Sequence, residues 1–185
     1  EKIVISLNKE GEPHKNHYGY TYKLRQEVVG KDGVINIIEK FFDLEKNPTI
    51  LKDDKDLGNY GLRTLITKDE DGDLVRYFIG LDENGEEHIN NKGFLAEKRA
   101  YDQQGRVIYS AYLDKNGKPM KDEFGDFGTS FTYEDGFKII ASLDENSEIH
   151  NNIQGWAYKY ILTLITGDEV SICLDLDKKP VNPNV

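Results

Sequence analysis

Leu81-Asp82-Glu83-Asn84-Gly85 and Leu113-Asp114-Lys115-Asn116-Gly117 are one phrase written twice, 32 residues apart. A third copy, Leu143-Asp144-Glu145-Asn146-Ser147, lacks only the glycine. Weaker copies are Leu7-Asn8-Lys9-Glu10-Gly11, Phe42-Asp43-Leu44-Glu45-Lys46 and Leu174-Asp175-Leu176-Asp177-Lys178. With the second residue of the phrase as the marker, markers stand at 8, 43, 82, 114, 144 and 175, spaced by 35, 39, 32, 30 and 31 residues. Such a period is the signature of a repeat architecture, in which each supersecondary unit leans on its neighbours.

The flanks keep register with the marker. Five positions after it stand Pro13, Pro48, Glu87, Pro119, Ile149 and Pro180, so four of the chain's five prolines occupy one repeat position. Eleven positions after it stand Gly19, Gly93, Gly125 and Gly155, three of them followed by an aromatic: Tyr20, Phe94 and Trp156. Aligned this way, the second repeat carries an insertion, Ile50 to Asp56, ahead of its Gly61-Leu62. A further insertion is Asp126-Phe127-Gly128.

One repeat can be read physically. Before each marker, side chains alternate: Ile3, Ile5, Leu7; Tyr77, Ile79, Leu81; Tyr109, Ala111, Leu113; Ile139, Ala141, Leu143; Val170, Ile172, Leu174. Period two with β-branched and aromatic residues predicts a half-buried strand. Ile5, Ile79, Ala111, Ala141 and Ile172 are expected inward, and Ser6, Gly80, Tyr112, Ser142 and Cys173 outward. Asp-x-Asn-Gly then turns the chain, since Asp accepts backbone N–H groups and Asn-Gly tolerates positive φ. The proline cannot donate to a ladder and marks an edge or the end of pairing. The later glycine lets the chain reverse into a second strand: Tyr20 to Val29, Leu62 to Thr67, Phe94 to Tyr101, Thr129 to Tyr133 and Trp156 to Thr166. That strand ends in turns such as Gly30-Lys31-Asp32-Gly33 and Glu134-Asp135-Gly136. The expectation is an all-β, antiparallel tandem β-hairpin repeat array of about five units and about eleven strands. Tyr22 to Val29 has helical propensity, but its repeat position predicts strand.

Tyr101-Asp102-Gln103-Gln104-Gly105, followed by Tyr112-Leu113-Asp114-Lys115-Asn116-Gly117-Lys118-Pro119, resembles bacterial tandem β-hairpin repeats of the Tyr-Asp-x-x-Gly and Tyr-x-Asp-x-x-Gly-x-Pro type. It is similar in style to tyrosine–aspartate and tryptophan–glycine β-repeats. The resemblance is sharpest over 77–119; Asn8, Lys46 and Ser147 depart from the pattern. It implies a binding or spacing role beside other domains, and it transfers no catalytic residues.

Composition narrows the function. The chain has 185 residues and a net charge of -10. The acidic balance argues against nucleic acid and anionic membrane as main partners, which need clustered Lys and Arg. No apolar run approaches the ~18 residues of a membrane span. Residues 1–185 are expected to form a single β-repeat domain. The strand-like start at Glu1 and the unpunctuated end at Val185 suggest a fragment of a longer protein, cut or processed. The compartment stays open, with a lean toward a bacterial exported or cell-surface setting.

Candidate sites follow the repeat. His14, His88 and His150 all stand six residues after a marker, where other repeats have Thr49, Met120 and Val181. One position sampled several times does not build a triad or a shared metal site. Asp69-Glu70-Asp71-Gly72-Asp73 lacks the later ligands of a calcium loop and reads as a hairpin turn. Acid pairs such as Asp53-Asp54, Glu86-Glu87 and Asp122-Glu123 read as solvated turns. Cys173, the single cysteine, sits at a mixed position and excludes an internal disulfide. No catalytic residue, metal or cofactor is expected, and the chain is read as a non-enzyme. The ligand candidates are Tyr20, Phe94 and Trp156: an exposed row would stack on sugars or anchor a protein, and a buried one would be core. The leading reading is a binding or spacer module for a protein or carbohydrate partner, a monomer or one making end-to-end contacts. The alternative is a regulatory or sensor segment of a larger effector. An exposed aromatic row favours the first, and an apolar patch at a terminus the second.

Overall fold

The computed structural model describes residues 1–52, 56–134 and 136–182. Asp53 to Lys55, Asp135 and the last three residues lie outside the described residues. The fold is all-β, as the repeat predicts. Thirteen strands among the described residues form one antiparallel sheet of consecutive hairpins, spatial order following chain order, with β8 pairing β7 to the side.

Two compact units make up the chain, Glu1–Glu97 with Asp114–Asn116, and Lys98–Leu113 with Gly117–Val185. The first contains β1 (Lys2–Ile5), β2 (Tyr22–Val29), β3 (Ile35–Phe42), β4 (Gly61–Lys68) and β5 (Leu74–Leu81). β6 (Ala96–Tyr101) follows. The second contains β7 (Val107–Leu113), β8 (Pro119–Met120), β9 (Gly128–Glu134), β10 (Phe137–Leu143), β11 (Tyr158–Thr163), β12 (Glu169–Leu174) and β13 (Pro180–Val181). Tyr22 to Val29 is a strand, its propensity overridden by pairing with both β1 and β3.

One turn frame serves the whole chain. At the marker, the Asp82 N–H donates to Glu86 O at 2.9 Å and the Gly85 N–H donates to Asp82 O at 3.0 Å. Asp82 Oδ1 accepts the N–H groups of Asn84 and Glu86, both at 2.9 Å. The backbone bonds recur at Asn8, Asp43, Asp144 and Asp175, then in a second set at Asn16, Asn90, Asp122 and Asn152, and in a third at Asp69 and Asp102. Only the fourth residue takes positive φ, Gly85 at 86°; the residue before the glycine does not. Lys46, Ser147 and Lys178 adopt the same conformation at 67°, 65° and 61° where the glycine is missing.

Among the described residues, the repeats marked at 8, 82 and 144 therefore each hold three turns of this frame rather than two. After the marker turn the chain returns for two residues. The residue before the marker pairs with the fifth after it in all six copies: Leu7–Pro13, Phe42–Pro48, Leu81–Glu87, Leu113–Pro119, Leu143–Ile149 and Leu174–Pro180. Where the neighbouring residues make the ladder bonds, as in Asp82 N–H to Glu86 O and His88 N–H to Gly80 O, that pair points its backbone groups away from the joint. Proline's missing N–H therefore costs no ladder bond. A loop on the second turn then leaves the sheet, and the chain rejoins the ladder in the return strand. Thr21 marks one re-entry, receiving Ser6 N–H and donating to Phe42 O, at 2.9 and 2.8 Å.

This loop corrects the expected inward and outward faces. Ile79, Ala111 and Ala141 are buried as predicted, but so are Gly80, Ser142 and Cys173 on the other face. The loops lie over that face, as Asn59 does over Gly80. Ile5 and Ile172 are exposed. Their strands lie at the ends of the strand order: β1 is outermost and pairs only β2, and β12 meets the two-residue β13 only at Cys173 and Leu174. A strand covered from one side keeps its apolar row in water.

Candidate functional site

The residue after each step glycine is where neighbouring repeats meet. Gly58, with φ of 73°, is the step glycine of the second repeat, not Gly61 as the insertion-based alignment has it. The Tyr60 N–H donates to Leu81 O just as Phe127 N–H donates to Leu143 O, at 2.8 and 2.9 Å. Gly61 and Gly128 then open β4 and β9, opposite Leu81 and Leu143. Asn59 and Asp126 are therefore equivalent to Tyr20, Phe94 and Trp156. The two polar members share a signature, Gly58-Asn59-Tyr60-Gly61 and Gly125-Asp126-Phe127-Gly128. What looks like an insertion at 126–128 is the re-entry itself.

The aromatic members are not uniformly open. Tyr20 is half-buried, its ring 5.1 Å from that of Phe41 and 6.5 Å from that of Tyr18, which itself contacts His17 at 3.7 Å. Phe94 is buried. Trp156 is half-buried and donates its indole N–H to Gln154 Oε1 at 3.0 Å.

The polar members meet the histidines. The His88 N–H donates to Gly80 O and the His150 N–H to Ser142 O, as His14 N–H does to Ser6 O, so the three share one backbone role. His88 Nε2 lies 3.2 Å from Asn59 Oδ1. In the equivalent joint, Ser142 Oγ donates to Asp126 Oδ2 at 3.2 Å and His150 Nε2 stands 3.2 Å from Asp126 Oδ1. Asn152 Nδ2 donates to Ser142 Oγ at 3.4 Å. Burial, and then the charge of Asp122, push the Asp126 carboxyl above its ordinary range, against the bonds from Asn152 and Ser142 and the attraction of His150. Serine, histidine and aspartate meet here, but the order is wrong for nucleophile activation. The carboxylate stands between the other two, and Ser142 is 0% exposed.

Other candidates are placed as follows. Asp69 Oδ1 accepts the N–H groups of Asp71 and Asp73, so the segment is a hairpin turn. Glu87 pairs with Arg63, and Asp122 Oδ1 takes the N–H groups of Phe124 and Asp126. Cys173 is buried, which raises its thiol pKa. Among the described residues, no three His, Cys, Asp or Glu side chains converge as a metal site.

The open apolar surface lies at β1 with the residues just after it, and on β12. Ile3, Ile5 and Leu7 are 64%, 48% and 58% exposed. Ladder register sets Ile3 beside Leu24, and Ile5 beside Tyr22 and then Phe42, on one face. These five residues line a shallow apolar depression with Glu1 and Lys46. Val170 and Ile172 are exposed on β12 in the same way.

No known protein family, curated protein or solved structure matches the chain.

Proposed function

We propose that the chain is a non-enzymatic interaction module of β-hairpin repeats whose partner is polypeptide. One observation carries the reading: the row Ile3, Ile5 and Leu7 lies open on an outermost strand and runs into Tyr22, Leu24 and Phe42. Apolar rows that continue across neighbouring strands mark interaction surfaces. An unpaired strand edge adds backbone donors and acceptors that only another extended chain satisfies in full. Carbohydrate fits less well, because Phe94 is buried and the Trp156 indole N–H is already bonded. An apolar patch near a terminus is also the feature named above for the alternative, a regulatory segment of a larger effector, in which case the polypeptide partner is a neighbouring domain. The resemblance to bacterial tandem repeats agrees with both.

The test is a pair of immobilised chains, wild type and Ile5→Glu, offered cell extract and a glycan array in parallel. A protein retained by the wild type, lost on Ile5→Glu and confirmed with purified material supports the reading. Glycan binding that survives Ile5→Glu and quenches Trp156 fluorescence overturns it.

A further inference from the structure

The joints alternate. Where Tyr20 and Trp156 occupy the step position, Phe41 and Cys173 stand at the next marker strand; where Asn59 and Asp126 occupy it, a histidine follows. Ser6 and His14 form one more polar joint, of the Asp126 type. Ser6 matches Ser142, His14 matches His150, and Asn16 matches Asn152. Asn16 Nδ2 donates to Ser6 Oγ at 3.1 Å, repeating the bond from Asn152 Nδ2 to Ser142 Oγ. The difference is the cover. Ser142 is sealed under Asp126, while Ser6 is half-buried and His14 exposed.

We propose that Ser6, His14 and the outer edge of β1 form an acceptor slot for an extended polypeptide segment beginning Gly-Asp-aromatic-Gly. The inference rests on the interaction reading above and names its partner. The occupied copy in the same chain supplies the register. There, Phe127 N–H donates to Leu143 O, and Gly128, Ser130 and Thr132 face Leu143, Ala141 and Ile139. Transferred to β1, the incoming aromatic's N–H donates to Leu7 O, and alternate residues of the segment face Leu7, Ile5 and Ile3. Its carboxylate accepts a hydrogen bond from the Ser6 hydroxyl, as Asp126 does from Ser142, and lies beside His14. Asp is selected over Asn placed as at the other polar joint. There the Asn59 carboxamide lies where a β-carbon would be, over Gly80, and Ser6 has a β-carbon. An aromatic at the step position offers no acceptor to the Ser6 hydroxyl, whose oxygen already receives Asn16 Nδ2, or to His14.

The test uses the full chain with a synthetic peptide of residues 125–134, followed by amide hydrogen exchange and by anisotropy of the labelled peptide. The expected result is protection of the Ile3, Ile5 and Leu7 amides. Affinity should fall at least tenfold for the peptide carrying Asp126→Leu, for the 155–164 peptide with its tryptophan, and for the chain carrying His14→Ala, as befits a charge-assisted bond. Equal affinity of the Asp126→Leu peptide, protection elsewhere, or no protection at millimolar peptide overturns the slot. If the peptide fails while an Ile5→Glu-sensitive partner still binds, only this inference falls. If no partner is sensitive to Ile5→Glu, the interaction reading falls with it.

Discussion

The Asn59 side chain lies directly over Gly80: a β-carbon at Gly80 would collide with Asn59 Oδ1. The two residues are 21 positions apart and meet because the second-turn loop folds back over the next marker strand. The contact explains why this strand carries a glycine at a position where its equivalents are Ser6, Phe41, Tyr112, Ser142 and Cys173.

Gly80→Ala should therefore destabilise the chain by about 1–3 kcal/mol, the usual cost of overpacking a closed site. Asn59→Ala removes the colliding atoms, so the double variant should lose less than the sum of the singles. Urea unfolding of the four proteins gives the coupling; simple additivity would mean that the two side chains do not compete for this space.

Among the described residues, three turns keep a non-glycine residue in the left-handed region: Lys46, Ser147 and Lys178. That conformation costs an L-residue roughly 1–2 kcal/mol. Glycine gives back part of the gain through its greater freedom when unfolded. Each of Lys46→Gly, Ser147→Gly and Lys178→Gly should stabilise by about 0.5–1 kcal/mol on balance, read as a rise in thermal midpoint.

The carboxylates work in opposite directions on acid stability. Asp82 and Asp144 are held below their ordinary range, first by the backbone bonds from Glu86 and Glu148. Their stabilisation is present above the unfolded value and fades as pH falls through the folded one. Asp126 is raised by burial, so its contribution is full below the unfolded value and is lost as pH rises through the folded one. Asp126→Asn, which keeps the shape of the side chain without its charge, should remove that loss. The variant should match the wild type at low pH and exceed it in midpoint near neutrality. A variant less stable than the wild type at neutral pH would show that the ionised Asp126 is a net stabiliser.

Equivalent isoleucines should respond differently to charge. Ile79 is buried and Ile5 is exposed. Ile79→Glu should cost several kcal/mol, because an unpaired charge is forced out of water. Ile5→Glu should cost under about 1 kcal/mol, which also makes it a usable binding variant. Comparable losses in denaturant titrations would refute the exposure of the β1 row.

The strands, their antiparallel order and the marker turns were legible because their causes are local. Alternation is a property of neighbouring residues, and the Asp82 turn closes within five positions using its own side chain. The prolines even announced the residue that faces the marker strand. The joints were not legible in the same way. Asn59 fell unassigned between an insertion and Gly61-Leu62, and Asp126 looked like part of a second insertion, because position along the chain does not show which loops fold back onto a strand. A shared signal was present in Gly58-Asn59-Tyr60-Gly61 and Gly125-Asp126-Phe127-Gly128, but only the common carbonyl partner, Leu81 or Leu143, aligns them. Face burial was likewise decided in three dimensions. Ile5, Ile79 and Ile172 read alike in the sequence, and pairing alone separates them: Ile79 lies within the sheet, whereas β1 and the upper part of β12 have a neighbour on one side only. Alternation determines which side chains share a face; long-range pairing determines whether anything covers it.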